Sequence, residues 1–457
     1  MIYETVILGA GESGIGAGLL AKAKGLNPFV SELKSIEQSR KEELVAAGIP
    51  FEEGYHSADI ILQAGLIIKS PGIPDDVALL KKARNAGISI INELEFAFRY
   101  TKAKIIAITG TNGKTTTTLL TYHLLKTAGL KVGLAGNVGY SLGQQVIKDE
   151  FDYYVVEVSS FQLDGMYEFK ANIAILLNIT PDHLDRYGNK IENYIQSKFR
   201  ITQNMNSDDS FVYFDDDTTI HNNLNRKSGK ARDFPLSLNQ QSTCPGHLKG
   251  DDLILSVGED SIRISRSILP LIGKHNIVNS MAAMLAAKII GISKEFIIGG
   301  LQTFKNAPHR LEKVAQIHGV EYINDSKATN VDAVYYALDG IDTSIIWIAG
   351  GIDKGNDYGL ISELVGQKVK ALICLGKNNE PLTSYFNDKV KTIIETQDIR
   401  QALETSQMLA NSGDTVLLSP ACSSFDLFNN YEHRGDRFKE EVMHLKSQNG
   451  HKKEVAL

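Results

Sequence analysis

Ile105-Ile-Ala-Ile-Thr-Gly-Thr-Asn-Gly-Lys-Thr-Thr-Thr117 decides how the middle of this chain folds. Four apolar residues, Ile105 to Ile108, predict a buried strand. The glycine-bracketed turn Gly110-Thr111-Asn112-Gly113 follows, and Lys114, Thr115 and Thr116 open a helix carried by Leu119, Leu120, Leu124 and Leu125. That order suits a polyphosphate. N–H groups of the turn point inward, the helix end adds partial positive charge and Lys114 a full one, and Thr115 or Thr116 can ligate Mg²⁺. The general P-loop pattern has four residues between its first glycine and its Gly-Lys pair. Here only Thr111 and Asn112 separate Gly110 from Gly113, so the loop is shortened. Gly-Lys-Thr alone also fits an ordinary βα turn; the strand before it and the helix after it favour a nucleotide.

The composition, 43% hydrophobic and 22% charged over 457 residues, is that of a globular chain. At about 150 residues each it allows roughly three domains. A formal net charge of −6 lacks the basic footprint of a nucleic-acid binder. Cys244, Cys374 and Cys422 form no C-x-x-C pair and no disulfide framework, which fits a reducing compartment. Met1-Ile-Tyr-Glu-Thr5 leads straight into a strand, without a basic n-region or cleavage site. No apolar run approaches the ~18 residues that span a bilayer. The expectation is a cytoplasmic monomer with no membrane or nucleic-acid partner.

Outward from the phosphate loop, the pattern predicts three α/β blocks. Residues 2 to about 95 alternate strands at Thr5–Leu8, Pro28–Val30 and Leu66–Ile68 with helices at Gly14–Lys24 and Lys41–Ala47. This βαβα order predicts a parallel, doubly wound sheet. After a linker at Tyr100–Lys104, the second block adds strands at Tyr153–Val158 and Ala174–Asn178 and a helix at His275–Ala287, while the polar stretch Asn222–Asp252 reads as a peripheral loop. The third block opens near Ala307, with strands at Tyr322–Asn324, Ser344–Ala349, Ala371–Leu375 and Thr415–Ser419. Ser447–Leu457 is polar and expected to fray. The predicted fold class is α/β in three domains, residues 1–100, 101–306 and 307–457.

A second glycine turn competes for attention. Gly9-x-Gly11-x-x-Gly14 follows the first strand, and Glu32 lies at the end of the second. This matches the dinucleotide fingerprint, glycines for a diphosphate and an acid for a ribose hydroxyl. Three readings stay open: a nicotinamide cofactor, another diphosphate such as a nucleotide-sugar, or glycines that merely pack helix on strand.

Other candidates lie after predicted strands, where parallel sheets bind ligands. Glu157 sits in an otherwise apolar strand, where a buried carboxylate wants a cation such as Mg²⁺. His183 follows the Asn178-Ile-Thr-Pro turn. Lys198 lies on an amphipathic helix with Ile191, Tyr194, Ile195 and Phe199, and by pattern alone reads as a solvated surface lysine. Asn276 and Asn279 share a helix face. Arg310, in Pro308-His-Arg310, suits a phosphate or a linker equally. Asn324-Asp-Ser-Lys-Ala-Thr-Asn330, Gly350-Gly-Ile-Asp-Lys354 and Ser419-Pro-Ala-Cys-Ser-Ser-Phe-Asp426 are donor-rich loops suited to a small dianion. Cys422 lacks a histidine base nearby in sequence and reads as a buried structural thiol.

Taken together, Gly110–Thr116, Glu157–Gln162, His183, Lys198, His275-Asn276 and His309-Arg310 resemble the Mur ligase family of ATP-dependent amide ligases. The resemblance runs from the first strand to about Phe438, and the shortened phosphate loop is the form this family uses. Asn324–Asn330 and Ser419–Asp426 are its more specific part and imply D-glutamate as the amino acid added. The fold implied is a Rossmann-like N-terminal domain holding a UDP group, a central P-loop ATPase-like domain, and a Rossmann-like C-terminal domain binding D-glutamate. The resemblance implies ATP contacts at Gly110, Thr111, Asn112, Gly113, Lys114, Thr115, Thr116, Asn276, Arg310 and Asp325. It implies Mg²⁺, two ions, held by Thr115, Glu157, His183 and Lys198, with Lys198 carbamylated and so no surface lysine. Lys114, Glu157, His183 and Lys198 would be catalytic. Ser13, the region Ser31–Leu33, Asn137 and His183 would approach UDP-N-acetylmuramoyl-L-alanine. Lys327, Thr329, Lys354, Ser424, Phe425 and Tyr431 would form the D-glutamate pocket, although Phe425 and Tyr431 depart from the aliphatic and phenylalanine side chains common in relatives. A sister ligase adding another amino acid is the nearer alternative, and an NAD-dependent oxidoreductase the distant one.

Overall fold

A computed structural model describes residues 3–271 and 273–454, with side chains through Gln448. The chain forms two compact units, Met1–Leu269 with Val278–Phe304, and Pro270–Ile277 with Lys305–Leu457.

The first unit carries two sheets. The smaller is parallel throughout, in the spatial order Phe51–Glu53, Pro28–Glu32, Thr5–Leu8, Leu66–Lys69, Ser89–Ile91. Two of these strands, Phe51–Glu53 and Ser89–Ile91, are only three residues long and escaped the sequence pattern. Successive strand residues face opposite sides. Val6, Leu8 and Ile67 pack with Leu80 and Ala83 on one face, while Ile7, Val30 and Ile68 pack with Ile15, Leu20 and Leu44 on the other. Both faces are therefore apolar, as a parallel sheet covered by helices requires.

The larger sheet has nine strands. Its parallel part runs Val132–Gly136, Tyr153–Glu157, Lys104–Thr109, Ile173–Leu176, Ser210–Phe214, Arg232–Ser237, Gly246–Lys249. Asp252–Val257 and Asp260–Ser265 then add antiparallel edges. The loop expected over Asn222–Asp252 is thus corrected: it contributes two strands. Phe234, Leu236 and Leu248 are buried among polar neighbours, an alternation that average polarity conceals.

The two sheets are tied through buried acids. Glu93 accepts from Ser141 Oγ and from the Gly143 N–H, both at 2.6 Å, and burial pushes its carboxyl above the usual range. Glu95, at the start of the link toward Lys104, accepts the N–H groups of Tyr167, Glu168 and Phe169.

In the second unit the order is Glu312–Ile317, Val320–Asn324, Thr415–Leu418, Ile345–Ala349, Val369–Leu375, Ile393–Thr396, parallel except for the first hairpin. Ile345 and Trp347 pack into one core, Ile346 and Ile348 into the other. The helix Tyr431–Glu454 lays Phe438, Val442 and Leu445 on the second core, at the four- and three-residue spacing of one helix face. Backbone helix therefore continues where fraying from Ser447 was expected, up to Glu454; the rest of that expectation, at residues 455–457, lies outside the described residues. No helix among the described residues is long and apolar enough to cross a membrane.

Candidate active site

The phosphate loop sits where its sequence requires, between the strand Lys104–Thr109 and the helix Lys114–Thr127. Gly113 turns the chain at φ 83°, and a Cβ there would collide with Asn279 Oδ1. Asn178 braces the loop, accepting the Asn112 N–H at 2.8 Å and donating to the Asn112 carbonyl at 3.1 Å. Thr111 Oγ1 donates to the Thr180 carbonyl and accepts its N–H, each at 3.0 Å. Thr115 and Thr116 are buried in the first helical turn. Lys114 Nζ folds back onto the carbonyls of Gly110 and Thr111, at 2.8 and 2.7 Å.

Lys198 is 1% exposed, which corrects the pattern-only reading of a surface lysine. Its Nζ donates to Thr109 Oγ1 at 3.1 Å and to the Gly110 carbonyl at 2.8 Å, and lies 5.2 Å from the Tyr194 ring centre. Burial, reinforced by the charge of Lys114, holds this amine well below the usual lysine range. The helix Ile191–Phe199 carries the signal for this. Lys198 stands seven, four and three residues after Ile191, Tyr194 and Ile195, on the apolar stripe itself.

Glu157 ends its strand and is 1% exposed. Oε1 accepts from Asn137 Nδ2 at 2.8 Å, and the Asn137 N–H reaches the Glu157 carbonyl at 2.9 Å. Oε2 is buried with no hydrogen-bond partner, and so is Asn112 Nδ2. A buried anionic oxygen and a buried donor, both unsatisfied, are costly unless a cation and an anion are meant to join them. Among the described residues no group of three or more His, Cys, Asp or Glu side chains forms a ready metal cage. The donor set instead fits Mg²⁺, which binds through one or two carboxylates together with substrate phosphates.

A cavity of about 300 Å³ opens here, lined by Lys114, Asn137, Asp182, His183, Tyr194 and Lys198, with Pro71 and Gly72 across from them. Thr115 and Glu157 are not on its wall. His183 occupies the left-handed region at φ 52° and leans on Phe161, ring centres 5.2 Å apart. Arg186, which sequence reasoning missed, lies over Phe161 at 4.3 Å and donates to the Pro71 carbonyl at 3.2 Å. It lies one turn beyond His183, and that spacing was the available signal.

A second cavity of about 510 Å³ follows the first glycine turn, lined by Gly9, Gly11, Glu32, Leu33, Lys34 and His56, then by Ser70, Gly72 and Ile73 on the far side. Gly72 belongs to both cavities. Glu32 is occupied: its oxygens accept the Ala10 N–H at 2.8 Å and the Lys34 N–H at 3.0 Å, so it braces the turn. Ser13 is half-buried one residue into the helix Glu12–Ala23 and does not line the cavity.

In the second unit the three donor-rich loops are laced together. The Asp325 N–H reaches the Leu418 carbonyl, Ala421 N–H the Ala328 carbonyl, Gly350 N–H the Pro420 carbonyl, and Ile352 N–H the Ser423 carbonyl. Arg434, missed from sequence, is 2% exposed and bolts them. It donates to Ser326 Oγ and the carbonyls of Ser326, Gly350 and Cys422, and burial pushes its pKa down to about 10. Asp325 accepts from Ser419 Oγ at 2.8 Å and the Leu311 N–H at 3.2 Å; burial raises its carboxyl to about 7 against the opposing charge of Arg310. Lys327 Nζ lies 5.0 Å from the Tyr431 ring centre. Thr329, Lys354 and Phe425 are exposed, Ser424 and Asn276 buried. A cavity of about 670 Å³ lies beside them, lined by Gly351, Asp353, Asn356, Tyr358, Lys377 and Tyr385 among others, and none of the six residues expected to hold D-glutamate is on its wall. The Cys422 thiol is pushed up to about 11, chiefly by burial, which suits a structural thiol.

Comparison with known proteins sorts the chain accordingly. The Mur ligase MurD-like N-terminal domain matches residues 3–92, the Mur ligase middle domain 108–287, and the Mur ligase glutamate ligase domain 309–422. The chain belongs to the Mur ligase family, a family of ATP-dependent ligases. Among its relatives, the UDP-N-acetylmuramoylalanine–D-glutamate ligase of Porphyromonas gingivalis strain W83 is 51% identical over 446 residues, 97% of this chain and 99% of that protein. The ligase of the same name from Bacteroides fragilis is 49% identical over 441 residues, 96% and 99% of the two chains. Solved structures share the fold at low identity. A pseudomurein peptide ligase type C from Methanothermus fervidus has TM-score 0.63 and 20% identity over 97% of this chain and 100% of that one. MurF ligase from Thermotoga maritima in complex with ADP has TM-score 0.60 and 16% identity over 93% and 99%.

Proposed function

We propose that this chain joins D-glutamate to UDP-N-acetylmuramoyl-L-alanine through an ATP-derived acyl phosphate. Full-length relatives at about half identity carry that activity in their names. The observation that carries the reading is Gly72, which lines both first-unit cavities: one extended substrate can rest its nucleotide at the Gly9 turn and its carboxylate beside the phosphate loop. In this reading residues 1–100 hold the UDP group, 101–306 hold ATP, and 307–457 hold D-glutamate. The enzyme works as a cytoplasmic monomer.

The L-alanine carboxylate attacks the γ-phosphorus of ATP and ADP departs, leaving a mixed anhydride. The D-glutamate nitrogen then attacks the acyl carbon, loses a proton, and phosphate leaves as the amide forms. A carboxylate alone is a poor acyl donor because oxide is a poor leaving group, and phosphorylation removes that obstacle. Lys114 swings from its loop carbonyls to the β- and γ-phosphates, and Asn112 donates its spare N–H to phosphate oxygen. Glu157 and Thr115 would hold one Mg²⁺, with Asn137 fixing the Glu157 carboxylate. Lys198, a buried amine whose hold on its proton is weakened, would take up CO₂ through its unprotonated nitrogen and release a proton; the carbamate, with His183, would hold the second. When bound, the two ions neutralise facing anions and stabilise charge developing in phosphoryl transfer. Asn276, Arg310 and Asp325 complete the ATP contacts, and Lys327, Thr329, Lys354, Ser424, Phe425 and Tyr431 bind the incoming amino acid.

Phosphate release in the presence of ATP and UDP-N-acetylmuramoyl-L-alanine tests this, with D-glutamate replaced in turn by L-glutamate, L-lysine and diaminopimelate. Release with D-glutamate alone is expected. Release only with another amino acid would make the chain a sister ligase, and none at all would refute the reading.

A further inference from the structure

Glu52, Ser31 and His56 form a hydrogen-bonded chain that ends at the wall of the 510 Å³ cavity, and the phosphate chemistry has no use for it. The Glu52 carboxylate is buried and accepts from Ser31 Oγ at 2.6 Å, the Ser57 N–H at 2.8 Å and Ser57 Oγ at 2.5 Å. A carboxylate only accepts, so the single hydroxyl proton of Ser31 is committed to Glu52. Ser31 Oγ also lies 2.6 Å from His56 Nδ1 and has only lone pairs left to offer there. Nδ1 must therefore carry the ring proton. In the neutral imidazole this leaves Nε2, on the opposite edge, as a hydrogen-bond acceptor.

We propose that His56 selects the base of the substrate nucleotide, Nε2 accepting the N3–H of a uracil ring. The inference rests on reading this cavity as the seat of a uridine diphosphate. Orientation follows from the sheet. Gly72, after the strand Leu66–Lys69, lines both cavities, so the acyl end of the substrate leaves on that side of the central strand Thr5–Leu8. The nucleoside must then run the other way, past Glu32–Lys34 at the end of Pro28–Glu32, toward His56 beyond the edge strand Phe51–Glu53. Leu33, 60% exposed at this end, offers an apolar surface for a ring face. Cytosine presents a lone pair at N3, which would meet the Nε2 lone pair and be rejected.

Calorimetric titration of the full-length protein with UDP, N3-methyl-UDP and CDP tests the assignment, in native protein and in the His56→Ala and Ser31→Ala variants. Native protein should bind UDP at least about tenfold more tightly than either analogue, the usual penalty for an unmet buried partner. His56→Ala should bring the three affinities close together. Ser31→Ala should narrow the gap, because nothing then fixes the imidazole proton on Nδ1; should that variant not fold, His56→Ala, whose ring is half-exposed, decides the matter alone. Equal binding of UDP and N3-methyl-UDP by native protein, or an undiminished UDP preference in His56→Ala, would overturn the role of His56 while leaving the uridine seat intact. Failure of native protein to bind UDP at all would overturn the seat, and the inference with it.

Discussion

Lys114 and Lys198 donate to the same oxygen, the carbonyl of Gly110, each at 2.8 Å. Two ammonium groups on one acceptor repel each other, and the buried one yields. The Lys198 amine is depressed by burial first and by Lys114 second. This crowding of positive charge loosens the hold of Lys198 on its proton and, on the proposed reading, readies the loop for a triphosphate.

Replacing Lys198 should separate two effects. Lys198→Ala should lose most activity and regain part of it with added short carboxylates that stand in for the carbamate, read as phosphate release. Stability gives an independent measure. A lysine depressed in the folded state binds its proton more weakly there than in the unfolded chain, so it lowers stability below its unfolded pKa and ceases to do so as pH rises toward 10.5. In CO₂-free buffer Lys198→Met should therefore unfold at higher denaturant than native protein near neutrality, with the gain shrinking as pH rises.

Lys114→Ala should abolish ATP turnover with little change in folding, because the Gly110 and Thr111 carbonyls that its Nζ meets belong to the phosphate loop itself, which Asn178 and Thr180 brace independently. Near-normal turnover with an unchanged melting curve would remove the phosphate-site assignment.

Glu157→Gln should weaken Mg²⁺ dependence and lower kcat by about 10²-fold or more, the scale of losing one well-placed electrostatic group. Melting should distinguish a ligand from a structural acid. Mg²⁺ with nucleotide should raise the Tm of native protein and leave that of Glu157→Gln nearly unmoved, while without Mg²⁺ the variant should be at least as stable, since Oε2 no longer strands a charge.

Asp325 predicts a pH effect of definite sign. Its folded pKa is raised to about 7, chiefly by burial, so the folded state holds this proton more tightly than the unfolded chain. The stability this contributes is complete below the unfolded value of 3.8 and is lost as pH rises to about 7. Asp325→Asn, which keeps an acceptor for Ser419, should be close to native stability near pH 4 and exceed it by on the order of 2 kcal/mol above pH 7 in denaturant titrations. A difference independent of pH would count against the assignment.

Arg434→Met should destabilise the protein by about 3 kcal/mol, since four acceptors on three loops lose their common donor. The KM for D-glutamate should rise more than the KM for ATP; equal changes would argue against loop positioning.

The fold was legible where strands were long and apolar. Ile105–Ile108 and Ile345–Ala349 announce buried parallel strands, and Gly113 with Lys114 marks the turn between strand and helix. Arg232–Ser237 and Gly246–Lys249 were not legible, because short strands with one wet face read as polar chain. Lys198 was misread by pattern because charge was weighed above position on the helix. Arg434 and the Glu52–Ser31–His56 chain were out of reach for a different reason. Their partners lie on separate segments of the chain, and no local spacing encodes a bond across 108 residues, as between Arg434 and Ser326.

Gly72 bears on how far this enzyme can vary. A Cβ built there would meet no protein atom within 4 Å, so packing does not demand a glycine. On the proposed reading, a side chain would obstruct the passage between the two cavities that Gly72 lines, the nucleotide seat and the reacting end. A requirement for glycine here would therefore come from substrate passage, not from packing. An inhibitor threaded across that threshold would, on the same reading, press on backbone whose replacement by a bulkier residue would hinder the natural substrate as well.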